Sequence, residues 1–443
     1  MSITAREAAF KALGAFRRDR IWPAETLGKL FGDSEDNRRE VSLAAQITNG
    51  VLQNMAFCDF FISNISSVEL SKLEPRILDI LRLSVYQLIF LSKVPASAAV
   101  NEGVKLAKRN ANQRAVSYVN AVLRKSADLI SKGFMPDITG DISELLSIKY
   151  SHPQWLVNKF RELLDDAGVE MFLAENNSAD SSVTVQVNTL RAGMDETLTI
   201  LRKECEATPH EWLSDCIVLH RAGNITRLDA FVKGYIYAQD SASRLAVLAA
   251  GPAKGNTVVD GCAAPGGKSY ASAILMENSG TIIAYDVSTE KISRISEGAA
   301  RMGIGIIDTS CRDSSVYAEE LAGTADIVLA DVPCSGFGVI KKKPEIRYKT
   351  EQEIAGLPDV QKQILTTLSE YVKPGGVLLY STCTVLRREN EDVVEWFLSR
   401  NNSFALADFE LPGIGNIREG KITLWPHIHK TDGFFICKME RKK

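Results

Sequence analysis

Histidine is scarce, with five in 443 residues. The eight cysteines, at 58, 205, 216, 262, 311, 334, 383 and 437, form no Cys-x-x-Cys pair and have no histidine cluster beside them at metal-ligand spacing. Zinc-ribbon and disulfide frameworks are therefore excluded, and reduced thiols with no bound metal are expected. No apolar run is long and uninterrupted enough to span a bilayer, and the N-terminus lacks the apolar core of a signal peptide, so a cytoplasmic protein without a membrane partner is expected. Disorder is excluded as well: at 45% hydrophobic and 24% charged, the chain has material for two or three separate cores.

What is present is uneven. Residues 1–135 carry 19 Lys and Arg against 13 Asp and Glu, a net charge of +6 that leaves −9 for the remainder. A basic head of this kind suits a polyanionic partner. Apolar residues recur three and four apart through 5–16, 40–54, 76–91, 98–108 and 115–129, which predicts helices joined by connectors such as Gly32-Asp33-Ser34 and Lys93-Val94-Pro95. Arg6, Arg17, Arg18, Arg20, Arg114, Arg124 and Lys125 are candidate phosphate contacts on those helices.

Residues 136–150, with Pro136, Gly140 and several acids, read as a linker. Beyond it, helical patterns over 151–166, 170–176 and 196–205 mix with strand patterns over 183–188 and 217–219, an α+β module. Asn188 and Arg191 leave the first of those strands and are candidates to grip a phosphate or a base edge. His152 and Trp155 suit packing as well as function. Asp240 or Ser241 is placed to cap a helix over 244–250.

The strongest stretch is 257–268. Thr257-Val258-Val259 has the β-branched character of a buried strand, and it ends in Asp260 before turning through Pro265-Gly266-Gly267 into a helix. Strand patterns recur at 281–285, 305–308, 327–331 and 377–381 between helical ones, which predicts a parallel sheet covered on both faces. Several of these strands end in chemistry. Asp286 follows one, where doubly wound folds commonly bind ribose hydroxyls. Asp331 and Cys334 follow another, and Cys383 follows a third. A thiolate that adds to C6 of a pyrimidine makes C5 nucleophilic, and a nearby acid can stabilise the adduct at N3. Asp331 is the candidate acid, and the base that removes the C5 proton is not identified. Lys341-Lys342-Lys343 and Arg347 follow the Cys334 loop and are expected as a basic lip for an RNA backbone.

Three groups of residues also carry a resemblance. Asp260-Gly261-Cys262-Ala263-Ala264-Pro265-Gly266-Gly267-Lys268, Asp331-Val332-Pro333-Cys334-Ser335-Gly336 with Gly338, and Ser381-Thr382-Cys383 resemble the signature set of S-adenosylmethionine-dependent RNA cytosine-5 methyltransferases. Ala5–Ala9, Glu74–Leu78 and Val119–Arg124 resemble the helical domain of the NusB antitermination factor, which implies RNA or protein binding. Together they are similar to the bacterial small-subunit rRNA enzymes of the Sun/Fmu (RsmB) type. That resemblance implies a Rossmann-like, doubly wound α/β methyltransferase domain over 235–443, preceded by an all-α NusB-like domain over 1–140 and a small α+β adaptor over 141–234.

It further implies Cys383 as nucleophile and Cys334 as the thiol that helps release product. The donor S-adenosylmethionine would be held by Cys262, Ala263, Ala264, Pro265, Gly266, Gly267 and Lys268 with Asp286, Asp313 and Asp331. Asp308 lies close enough in sequence to be confused with Asp313. The substrate implied is 16S rRNA, at an exposed or loosened cytosine, and a monomer is favoured. Val332, Gly261 and Arg387-Arg388 depart from the family's usual residues without removing a reacting group. Alternatives are a tRNA cytosine-5 methyltransferase, a non-catalytic RNA-binding or antitermination factor, and a small-molecule methyltransferase.

Overall fold

The computed structural model describes residues 3–32, 38–178 and 182–443. Asp33 and Ser34 of the expected connector lie outside the described residues. The chain divides into two compact units. One comprises residues 1–177 with 343–349, and the other comprises 178–342 with 350–443.

The helical unit contains α1 (Ala5–Asp19), α2 (Pro23–Phe31), α3 (Arg38–Gln53), α4 (Met55–Ile65), α5 (Pro75–Phe90), α6 (Ala96–Asn110) and α7 (Gln113–Ser131), then α8 (Ile142–Tyr150), α9 (Gln154–Arg161) and α10 (Asp166–Asn176). The apolar period decides which faces are inside: in α1, Ala5, Ala8, Ala9, Ala12, Leu13 and Phe16 are buried, and the Thr4 hydroxyl caps the first turn. The second half of the stretch read as a linker is helix α8, started by the Asp141 carboxylate on the Glu144 N–H at 2.9 Å.

Segment 343–349 completes this unit. Arg347 is fully buried, and its guanidinium donates to the carbonyls of Gln53, Tyr150 and Ser151 at 3.0–3.2 Å. The Tyr348 hydroxyl donates to Leu52 O at 2.6 Å, and its ring lies edge-on to Phe16.

The α/β unit holds a four-stranded antiparallel sheet, order β2-β3-β1-β4, from β1 (Val183–Val187), β2 (Glu206–Pro209), β3 (Cys216–His220) and β4 (Ile236–Ala238). Helices α11 (Met194–Leu201) and α12 (Asp229–Val232) accompany it. The larger sheet comprises β5 (Thr257–Asp260), β6 (Thr281–Asp286), β7 (Ile307–Cys311), β8 (Ala325–Asp331) and β9 (Val372–Thr382), all parallel, in the order β9-β8-β5-β6-β7. That order reverses direction between β5 and β8, the point at which doubly wound sheets open a crevice at their carboxyl ends. Its helices are α13 (Ser241–Ala250), α14 (Gly267–Leu275), α15 (Thr289–Met302), α16 (Glu351–Ile354), α17 (Leu357–Ser369) and α18 (Glu391–Arg400). The chain then adds β10 (Phe404–Leu406), a hairpin of β11 (Phe409–Leu411) with β12 (Gly415–Ile417), β13 (Lys421–Leu424), α19 (Pro426–His429) and β14 (Phe434–Arg441). Strand β14 runs antiparallel to β9, with β10 and β13 paired on its other side, and Phe434 and Phe435 are buried as core residues.

Two expectations shift. The strand predicted at 305–308 forms at 307–311, so Asp308 sits within β7 opposite Ile283 while Asp313 follows the strand's end. Asn188 and Arg191 are committed to the fold. The fully buried Asn188 amide donates to Gly234 O and Met302 O at 2.9 Å, and Arg191 donates to Met302 O and Lys233 O.

Candidate active site

The β5–α14 turn carries the donor-loop residues. Ala264–Pro265 is a cis peptide, Gly266 has φ +102°, and α14 begins at Gly267. The left-handed backbone at position 266 favours glycine. Asp260, at the end of β5, is fully buried. Its Oδ2 accepts from the Ser269 hydroxyl at 2.6 Å, the Cys262 N–H faces the carboxylate, and among the described residues Oδ1 makes no hydrogen bond of ordinary geometry. Burial pushes its pKa up to about 6, against the Ser269 hydrogen bond and the nearby charge of Lys268. Burial likewise pushes the Cys262 thiol up to about 12, so it stays protonated. Glycine at 261 matches Leu368, whose methyls would lie 2.7 Å from an added Cβ.

Lys268 reaches from α14 to the end of β8. Its ammonium donates to Asp331 Oδ2 at 2.5 Å and to Ser243 Oγ at 2.8 Å, over the Phe434 ring. Asp331 Oδ1 accepts from the Ser381 hydroxyl at 2.8 Å, as the β8–β9 register requires. A cavity of about 220 Å³ lies here, lined by Cys262, Ala263, Ala264, Pro265, Gly267, Lys268 and Asp331, and also by Gln239 and Asp240. Gly266 does not line it, and Asp286, Asp313, Cys334 and Cys383 stand outside it.

The two thiols meet beside it. Cys334 Sγ and Cys383 Sγ are 3.1 Å apart, and both cysteines are free. Hydrogen bonding from Cys334 holds the Cys383 thiol below its ordinary value, with the Lys268 charge acting in the same direction against burial. The same contact, together with burial, holds Cys334 well above. A buried carboxylate fixes the two loops: Glu389 Oε2 accepts from the Ser335 N–H at 2.8 Å and from the Gln361 amide at 3.0 Å, while the Gln361 amide also donates to Pro333 O at 3.0 Å. Thr384 and Ser335 share a hydroxyl contact of 2.8 Å, and Thr382 donates to Asn390 at 2.6 Å. Sequence reasoning missed Glu389, Asn390, Gln361 and Gln239. Only the clustering of Glu389 and Asn390 just past the Cys383 strand hinted at them.

Of the two outer acids, Asp286 ends β6 and accepts from the Ser288 N–H at 3.2 Å. Asp313 is exposed beyond β7 and caps its own turn through the Ser315 N–H and hydroxyl, which hold its carboxyl below the ordinary range. The basic lip does not form as expected. Lys342 is paired with Asp240 and Asp432, and Arg347 is buried in the helical unit.

Residues 247–440 match a family model described as 16S rRNA methyltransferase RsmB/F, 3–128 match the NusB family, and 152–226 match the RsmF/B-like ferredoxin-like domain. A probable ribosomal RNA small subunit methyltransferase B of Bacillus subtilis is 32% identical over 99% of this chain and 98% of its own length. The chain belongs to the ribosomal RNA small subunit methyltransferase B family. A Synechocystis relative with the same printed name is 30% identical over 99% of this chain and all of its own. The crystal structure of PH0851 superposes with a TM-score of 0.81 at 29% identity, covering all of both chains.

As a member of the methyltransferase B family, the protein is an rRNA methyltransferase whose cofactor is S-adenosylmethionine. The cavity fits that donor on its own terms. Among the described residues, Asp260 Oδ1 and Gln239 Nε2 are buried at its wall without a hydrogen bond of ordinary geometry, one an acceptor and one a donor. At Gly267 a side chain would come within 3.1 Å of Gln239 Nε2, so glycine leaves room for the Gln239 amide at the cavity wall. Among the described residues no helix is long and apolar enough to cross a membrane.

Proposed function

We propose that this methyltransferase makes 5-methylcytosine in 16S rRNA through a covalent cysteine adduct. The donor, when bound in the β5–α14 cavity, supplies an electrophilic methyl group on a sulfonium. Cys383, as thiolate, forms a bond from Sγ to C6 of the cytosine, and the C5=C6 electron pair becomes available at C5 to take the methyl group. Asp331, held by Lys268 and Ser381, delivers a proton to N3 as the thiolate adds, which stabilises the adduct, and recovers it on release. Transfer of the C5 proton to water or to a base re-forms the C5=C6 bond from the C–H electron pair and expels Cys383 as thiolate, with Cys334 assisting release.

The carrying observation is the 3.1 Å approach of the two thiols at the tips of adjacent strands, next to the Lys268–Asp331 pair. It supports a division of labour in which one sulfur is ionised more readily than the other. Residues 262–268 and Asp331 would hold the donor, with Asp286 on its ribose hydroxyls and Asp313 on its adenine. The stretches 1–140 and 141–234 would select the RNA, and 235–443 would carry the chemistry. The enzyme would work as a monomer in the cytoplasm.

The test uses purified full-length protein, 16S rRNA and methyl-labelled donor. Cys383→Ala abolishes transfer, and Cys334→Ala leaves protein covalently joined to RNA. The exchange of those two outcomes would exchange the roles, and label incorporated into tRNA but not 16S rRNA would move the substrate.

A further inference from the structure

Lys342 closes the loop that begins at Cys334. Its ammonium donates to Asp240 Oδ2 at 2.5 Å and to Asp432 Oδ2 at 2.7 Å. Asp240 belongs to the wall of the donor cavity, caps α13 through the Ala242 N–H at 2.9 Å, and also accepts from the Asp432 N–H at 3.2 Å. Asp432 opens the turn whose next residue, Gly433, donates to Gly338 O at 2.8 Å. Gly338 in turn donates to Cys383 O at 2.9 Å. A Cβ at Gly338 would lie 1.7 Å from Gly433 O, so the two backbones touch with no slack between them. One ammonium thus ties together the cavity wall, the Cys334 loop and the turn that clamps the Cys383 strand end.

The two carboxylates need that cation. Their side chains are 18% and 13% exposed, whereas the lysine is 44% exposed. Burial and the charge of Asp240 push Asp432 up to about 7, opposed by Lys342. Against burial, Lys342 holds Asp240 below its ordinary value. His210 senses Asp240, and Cys383 senses Asp432 together with Asp331 and Lys268. A like-charge pair deprived of its counterion takes up a proton or separates.

We propose that Lys342 is a positioning residue for methyl transfer, neutralising Asp240 and Asp432 so that the Cys334 loop stays closed against Cys383 and the donor cavity. The proposal rests on the two thiols being the reacting groups.

The test follows full-length K342M, K342R, K342M/D432N and C383A with 16S rRNA and S-adenosylmethionine between about pH 6 and pH 9, a span that brackets Asp432. K342M loses kcat by up to about 10²-fold at the alkaline end, the scale of a small misplacement of reacting groups, while KM for RNA holds. The deficit shrinks toward the acid end, where a proton shared by the two carboxylates replaces the ammonium. K342R recovers, and so does K342M/D432N, in which an amide replaces one carboxylate. A rise in RNA KM at unchanged kcat, a deficit that ignores pH, or full activity in K342M overturns the proposal. If K342M fails to fold, an inactive but folded K342M/D432N overturns it equally. Transfer retained by C383A overturns the underlying thiol reading instead, whatever Lys342 does.

Discussion

Strands β1 and β8 both run out of a sheet into polar residues, yet the two exits have opposite fates. After β1, Asn188 and Arg191 turn back onto backbone carbonyls of the same unit, so the buried Asn188 amide and two of the Arg191 donors hold the fold together. After β8, Asp331 meets Lys268 and Ser381 at the wall of a cavity, and Cys334 meets Cys383. The difference lies in topology. Strand β8 ends at the reversal of a parallel sheet, where the tips of β5, β8 and β9 lie side by side, whereas β1 sits inside a small antiparallel sheet whose connections return to cover it.

That contrast is open to attack from both sides. At the β8 side, Cys383→Ala reduces methyl transfer to background, read as label in 16S rRNA. Asp331→Asn follows with a loss of about 10²–10⁴-fold in kcat, the range for a positioned acid or base. Asp260 predicts a pH effect. Its folded pKa of about 6 exceeds the ordinary 3.8, so the folded state binds the proton more tightly, and stability falls as pH rises from about 4 to about 6 before levelling. Urea unfolding at a series of pH values shows that fall, on the order of 3 kcal/mol, and Asp260→Asn removes it. At the β1 side, Asn188→Ala costs about 1–3 kcal/mol of stability by leaving buried carbonyls unpaired, while KM for RNA stays put. The smallest effects separate two neighbouring acids: calorimetry with S-adenosylmethionine finds binding about tenfold weaker in Asp313→Asn and unchanged in Asp308→Asn.

Much of this molecule is legible in the chain. The helices over 5–16, 40–54, 76–91, 98–108 and 115–129 follow from their apolar period, and the parallel strands follow from β-branched runs that end in acids. Helix α4 was not, because Met55–Ile65 is apolar over most of its length and only Asp59, Ser63 and Asn64 mark its outer face. Strands β2, β4 and β10–β13 have three or four residues each, too few for alternation to register. At the site, the motif residues announce themselves, but Glu389 and Gln361 acquire meaning only when folding buries them against the Cys334 loop. Lys342 and Arg347 mislead for the same reason. A run of positive charge reads as a wet surface until the fold supplies its carboxylates and carbonyls.

The path of residues 343–349 has a practical consequence for anyone dissecting this enzyme. The chain leaves the α/β unit after Lys342, completes the helical unit, and returns at Thr350, so no single scission yields both halves whole. A head truncated after Asn177 would lose the Arg347 guanidinium from the carbonyls of Gln53, Tyr150 and Ser151 and the Tyr348 ring from beside Phe16. Such a fragment regains its missing stave only if a peptide spanning 343–349 is added back or grafted on through a loop.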